Sequence, residues 1–112
     1  MDKKKNKETL REGRKMKLNI GGHEYTIEER TLKASDSTKE LYGSHLVKDN
    51  VIFINKDIAQ SRRRETLIHE VLHAVFYNRG IEHDEPLIET LSNGLHQLGV
   101  GDYLWKKARK KS

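Results

Sequence analysis

The chain has 112 residues, 34% of them hydrophobic and 35% charged, which is enough for one domain with a modest core and a heavily solvated surface. Cysteine is absent, so disulfides and thiolate metal sites are excluded and any metal must be held by His, carboxylate and water. No apolar run is long enough to span a bilayer, and the basic start lacks the apolar stretch of a secretory signal; a cytoplasmic protein with no membrane partner is expected.

The net charge of +5 averages an acidic body and two basic ends. Residues 1–17 hold eight Lys/Arg against three Asp/Glu, and residues 106–112 hold five Lys/Arg and no acid. Between them, residues 18–105 hold nine basic and fourteen acidic side chains. Basic ends are most often solubilising, and nucleic acid is a weak candidate partner because no aromatic residues alternate with the N-terminal cations. The expected organisation is a flexible tail over 1–15, one compact domain over 16–105 and a basic tail over 106–112. No feature of the sequence specifies an oligomer.

In chain order, residues 1–15 offer Leu10 as the only sizeable apolar side chain after the initiator. Met16, Leu18 and Ile20 then alternate with Lys17 and Asn19, and Tyr25 and Ile27 resume the alternation after Gly21-Gly22. That pattern predicts a β-hairpin with a Gly-Gly turn. Residues 29–40 are polar, with Ser35, Asp36 and Ser37 marking a loop or one helical turn. Leu41–Val47 and Val51–Asn55, joined through Lys48-Asp49-Asn50, predict a second hairpin, and Val51–Ile54 is apolar on both faces, as a well-covered strand would be.

A central helix is expected from Asp57, with Gln60 completing a capping box, to a C-terminal Gly80. Its Arg62-Arg63-Arg64 run reads as a solvated face or a partner-binding rim. A second helix starts at Asp84-Glu85-Pro86, where proline suits the first turn, and runs to about Gly99 with Ile88, Leu91, Leu95 and Leu98 as its apolar stripe. A short basic helix from about Asp102, bearing Tyr103, Leu104 and Trp105, closes the domain. The class is α+β: a small antiparallel sheet of three to four strands in two hairpins, packed on two principal helices.

Within the central helix stands His69-Glu70-Val71-Leu72-His73. Residues four apart share a helical face, so both imidazoles can close on one ion, while Glu70 lies one step round, free to take a proton from a metal-bound water. Leu67, Ile68, Val71, Leu72, Val75 and Phe76 interleave with the motif, so the helix is apolar, and burying two His and a Glu in it without partners would cost about 1–3 kcal/mol each. A zinc ion resolves that cost. A catalytic zinc has three protein ligands and an open position, so a third ligand is required. Glu89 is favoured because it is mounted on the second helix and can reach the metal if the helices pack antiparallel. His83, Glu82 and Glu85, in the turn, compete but would have to fold back by several turns. On the face of Glu89, Asn93 would hydrogen-bond the outer nitrogen of a ligand His, and His96 would donate to a developing oxyanion.

Ser61–Leu98 resembles the catalytic half of small gluzincin-type zinc metallopeptidases, including the compact phage and mobile-element proteins related to the ImmA/IrrE and minigluzincin groups. The residues that carry the likeness are Thr66-Leu-Ile-His-Glu-Val-Leu-His-Ala74, Asn78-Arg-Gly80 and Glu89-Thr-Leu-Ser-Asn-Gly-Leu95, with Val51-Ile-Phe-Ile-Asn-Lys-Asp57 resembling the strand that leads into the active-site helix. The resemblance implies a zincin-like fold, zinc on His69, His73 and Glu89, and Glu70 as general base and acid. It departs from the gluzincin pattern at Asn93, where an aspartate is usual. Metzincins are excluded by Phe76 and Arg79, and peptide deformylases by the missing cysteine; SprT-like proteins remain open through His83.

The expected function is therefore zinc-dependent hydrolysis of a peptide or protein substrate. The substrate would add as a strand along a sheet edge, and the acidic body would favour basic or neutral sequences. The alternative is a zinc-stabilised binding or regulatory protein, in which the metal ties two helices together and the basic ends engage a partner or nucleic acid. A regulatory protease of a mobile element that cuts a repressor is a third possibility suggested by the resemblance.

Overall fold

The structure, a computed structural model, describes residues 15–32, 42–46 and 49–110. Residues 1–14 of the expected 1–15 tail, residues 33–40 of the polar loop, Leu41, Val47 and Lys48 of the second hairpin, and Lys111 and Ser112 lie outside the described residues, while Lys15, expected in the tail, opens the first strand.

Four strands and three helices make a small α+β fold: β1 (Lys15–Ile20), β2 (His23–Arg30), β3 (Gly43–Leu46), β4 (Val51–Asn55), α1 (Gln60–Arg79), α2 (Glu85–Gln97) and α3 (Val100–Lys110). Both expected antiparallel strand pairs form. β1 and β2 pair antiparallel, with Ile20 opposite His23 across a two-residue turn. Gly21 and Gly22 both have positive φ (61° and 87°), the requirement of the tight turn whose twist matches its strands. β3 and β4 pair antiparallel from Gly43–Ile54 to Leu46–Val51.

The sheet itself is mixed rather than antiparallel. Its order is β1-β2-β4-β3, and β2 runs parallel to β4 with Ile27 beside Ile52 and Glu29 beside Ile54. The second hairpin docks through β4, which leaves β3 at the edge. Alternation fixes which side chains share a face but is blind to strand direction, so this pairing had no local signal.

Met16, Leu18, Ile20, Tyr25, Ile27, Ile52 and Ile54 form the buried face and pack with Leu67 and Ala74 of α1 and Trp105 and Ala108 of α3. The opposite face is more open. Val51 and Phe53 are only half-buried there, with the Arg30 guanidinium 4.7 Å from the Phe53 ring centre, so β4 is less covered than its composition suggests.

α1 has no capping box. Ala59 occupies the N-cap with no side-chain cap, and Asp57 instead accepts a hydrogen bond from the Thr31 hydroxyl (2.8 Å) while its N–H donates to Asn55 Oδ1 (2.9 Å). Asp57 fastens the strand-to-helix turn rather than the helix end. At the other end Gly80 adopts φ 67°, with Gly80 N–H bonded to Tyr77 O and Ile81 N–H to Phe76 O, the double closure expected of a left-handed helix stop. Asp84 caps α2, accepting from Leu87 N–H at 3.1 Å, and Pro86 sits in the first turn. The expected stripe of α2 is only half used: Ile88 is buried and Leu95 half-buried, but Leu91 is 39% and Leu98 78% exposed, and Ser92 takes the second fully buried position. α3 continues through Lys110 with Ala108 buried, so the basic segment from residue 106 is helical as far as Lys110.

Two of the three consecutive arginines clamp α1 in place. Arg63 pairs with Glu29 of β2 (3.1 Å), and Arg64 pairs with Asp102 (3.2 Å) and lies 4.2 Å from the Trp105 ring centre. α1 and α3 approach closely at Gly101, where a Cβ would stand 2.8 Å from the Arg64 carbonyl oxygen. Backbone cannot yield as a flexible side chain can, so Gly101→Ala should destabilise the fold by about 1–3 kcal/mol. Gly94, in the middle of α2 with open space around it, should behave oppositely, Gly94→Ala adding about 0.5–1 kcal/mol from helix propensity alone. Urea denaturation of the two variants checks both signs.

Candidate metal centre and cleft

His69 and His73 project from one face of α1, and their Nε2 atoms stand 3.2 Å apart. The Glu85 carboxylate reaches both, with Oε1 3.3 Å from His69 Nε2 and Oε2 2.8 Å from His73 Nε2. His69, His73 and Glu85 thus present one ligand atom each within 4.8 Å of one another, a group able to hold a metal ion.

The third member of the group is Glu85, not Glu89. The distance argument against the turn residues fails on magnitudes. From Arg79 back to His73 is about 9 Å of helix, while the four extended residues Ile81–Asp84 can span about 13–14 Å. The Gly80 turn reverses the chain, and the Asp84 cap sets Glu85 as the first residue of α2, beside the imidazoles. The Asp84-Glu85-Pro86 start signal, read together with the Gly80 stop, was the available clue. Glu89 stands one turn further along α2, on the wall of a cleft of about 490 Å³ that it shares with Tyr42, Gly43, Arg62, His69 and Glu70.

His83 belongs to the surroundings of the group. Its ring lies edge to edge with that of His73 and nearly coplanar (centres 4.9 Å apart, planes at 19°), and the two Nδ1 atoms are 2.6 Å apart. One Nδ1 donates to the other, and this bond holds the His73 ring with its Nε2 toward the group. That is the task the sequence reading gave to Asn93. Asn93 instead donates to Glu65 Oε2 (3.4 Å) and accepts from Gln97 (3.0 Å). Contacts of α1 with Glu85 near the turn and with Asn93 farther from it show that the two helices run antiparallel. Burial pulls the His73 pKa below its ordinary value, against the opposing pull of Glu85 and Glu70, and so favours the neutral imidazole whose lone pair can ligate.

Glu70 is 6% exposed and lines the cleft next to His69. β3 forms the adjoining wall: a Cβ on Gly43 would lie 2.6 Å from Thr66 Cγ2 and 3.3 Å from Glu70 Cγ, so only glycine lets this strand approach the helix so closely. His96, the candidate oxyanion donor, is in the last turn of α2 and is not among the residues lining the cleft. Its Nδ1 is enclosed without a hydrogen-bond partner among the described residues. Ser92 also lines the cleft, but its hydroxyl donates to Ile88 O (2.8 Å).

Among the described residues no helix is long and apolar enough to cross a membrane. No protein-family model matches the chain, and no curated protein or solved structure matches it significantly.

Native mass spectrometry should find one zinc per chain, lost in His69→Ala. Chelator competition should show Glu85→Ala weakening zinc by about tenfold or more, and His83→Ala by about 10–100-fold, the range for a residue that orients a ligand. Glu89→Ala should keep the metal. Loss of zinc in Glu89→Ala with retention in Glu85→Ala would move the third donor one turn along α2.

Proposed function

We propose that this chain is a zinc-dependent peptidase of the small gluzincin type, with His69, His73 and Glu85 holding the metal and Glu70 acting as general base and acid. One observation carries the reading: a buried carboxylate, Glu70, lines an open cleft together with His69, whose imidazole belongs to a group of metal-binding geometry with His73 and Glu85. The helix–helix arrangement behind it, with its donors at facing positions of α1 and α2, is compatible with a zincin-like catalytic half.

A zinc ion bound there would polarise the scissile carbonyl and ease deprotonation of water. Glu70 receives the proton of the attacking water and delivers it to the departing amine, a single carboxylate serving both halves of the reaction. Neutral His73, held in orientation by His83, keeps its Nε2 lone pair directed at the group. The edge position of β3 supports an extended substrate pairing along that strand, whose Gly43 end opens into the cleft. Water excluded by that strand would leave Glu70 in a drier setting.

A second reading is favoured by Glu85 itself. By contacting both imidazoles it joins the start of α2 to the middle of α1, which is what a purely zinc-stabilised binding protein would need. Glu70→Gln separates the two. In the peptidase, this variant keeps one zinc per chain and loses about 10²–10⁴-fold in peptide hydrolysis. Unchanged hydrolysis would remove Glu70 from the mechanism. No cleavage of a proteome-derived peptide library by the zinc-loaded wild type would favour the binding protein.

A further inference from the structure

The three consecutive arginines have different surroundings. Arg63 and Arg64 are committed to Glu29 and Asp102. Arg62 has no carboxylate partner among the described residues: its guanidinium lies 5.6 Å from the Tyr42 ring centre, on the exposed rim of the cleft. Its natural helical neighbour is Glu65 at i+3, but that carboxylate is hydrogen-bonded to Asn93. Arg62 also sits in the first turn of α1, where the helix dipole disfavours a cation. A guanidinium in this position, within cation–π range of an aromatic ring and with its donors unclaimed by the described residues, is arranged to meet an anion that comes from outside.

We propose that Arg62, steadied by Tyr42, is the specificity residue of the cleft and reads a carboxylate on the substrate peptide, an acidic side chain or the C-terminus. The inference rests on the peptidase reading for its substrate class, though not for the recognition itself. Arg62 precedes His69 by seven residues, about 10 Å along the helix and within about 20° of the same face. An extended peptide advances about 3.3–3.6 Å per residue, so the carboxylate recognised lies about three residues from the bond at the metal group. The cleft also contains Glu65, Glu70 and Glu89, so a single guanidinium is outnumbered by carboxylates, and a monovalent carboxylate that meets Arg62 directly at the rim fits better than a doubly charged phosphate.

Fluorescein-labelled octapeptides of alanine and leucine provide the test, with binding to zinc-loaded Glu70→Gln protein followed by anisotropy. One is amidated with glutamates spaced three residues apart, one is its amidated glutamine counterpart, and one is the glutamine peptide with a free C-terminus. The glutamate peptide or the free acid should bind about five- to tenfold more tightly than the amidated glutamine peptide, and which of them does so identifies the carboxylate read. Arg62→Ala should abolish the difference, Arg62→Lys should keep part of it, and Arg62→Glu should reverse it. Equal binding of all three peptides by the Glu70→Gln protein, including no binding at all, overturns the proposal. A preference that persists while the wild type cleaves none of the peptides would instead overturn the peptidase reading and leave Arg62 as the anion-reading residue of a binding cleft.

Discussion

Everything at the candidate centre depends on how α1 is seated. A helix that presents two imidazoles and a carboxylate on one side must be held by the other side, and here Leu67 and Ala74 are sunk into the sheet while Glu29 and Asp102 hold Arg63 and Arg64. Rotation of α1 about its axis by one residue would move every donor by about 100°. The apolar seat and the two ion pairs oppose that rotation at different points along the helix. The pair to Glu29 is the more sheltered of the two, because Glu29 is 2% exposed whereas the Asp102 side chain is 71% exposed.

The second requirement is a short return. The Gly80 stop, the Asp84 cap and Pro86 leave the chain few choices between the two helices, and each acts through a separate backbone constraint: a left-handed φ, an occupied N–H and a fixed ring. Together they set the start of α2 beside the middle of α1. β3 completes the cleft from the opposite direction, and its closeness to Thr66 and Glu70 follows from the missing side chain at Gly43.

Much of this was legible in the residues. The first hairpin follows from alternation and Gly21-Gly22, the second from two short runs joined through Lys48-Asp49-Asn50, and the HExxH pair from helical periodicity, because each depends on neighbours within a few positions. What the sequence left unread depends on tertiary placement. The parallel union of β2 and β4 has no local signature. Asp57 had two competing uses, helix cap or turn anchor, and the Thr31 hydroxyl decides for the turn. Glu85 and Glu89 share a helix and differ by one turn, so which of them stands beside the imidazoles depends on the length of the return loop in ångströms rather than on a pattern. Leu91 and Leu98 fit a 3.6-residue stripe but lie beyond the narrow strip that α2 buries, while Ser92 meets the same burial by bonding its own helix at Ile88 O.

The donors His69, His73 and Glu85 lie within one contiguous helix–turn–helix, and the sheet supplies none of them. Closing so short a loop costs little chain entropy compared with gathering ligands from distant strands. The sheet's part is orientation: it supplies no member of the group, but through α1 it sets the side on which the group is presented.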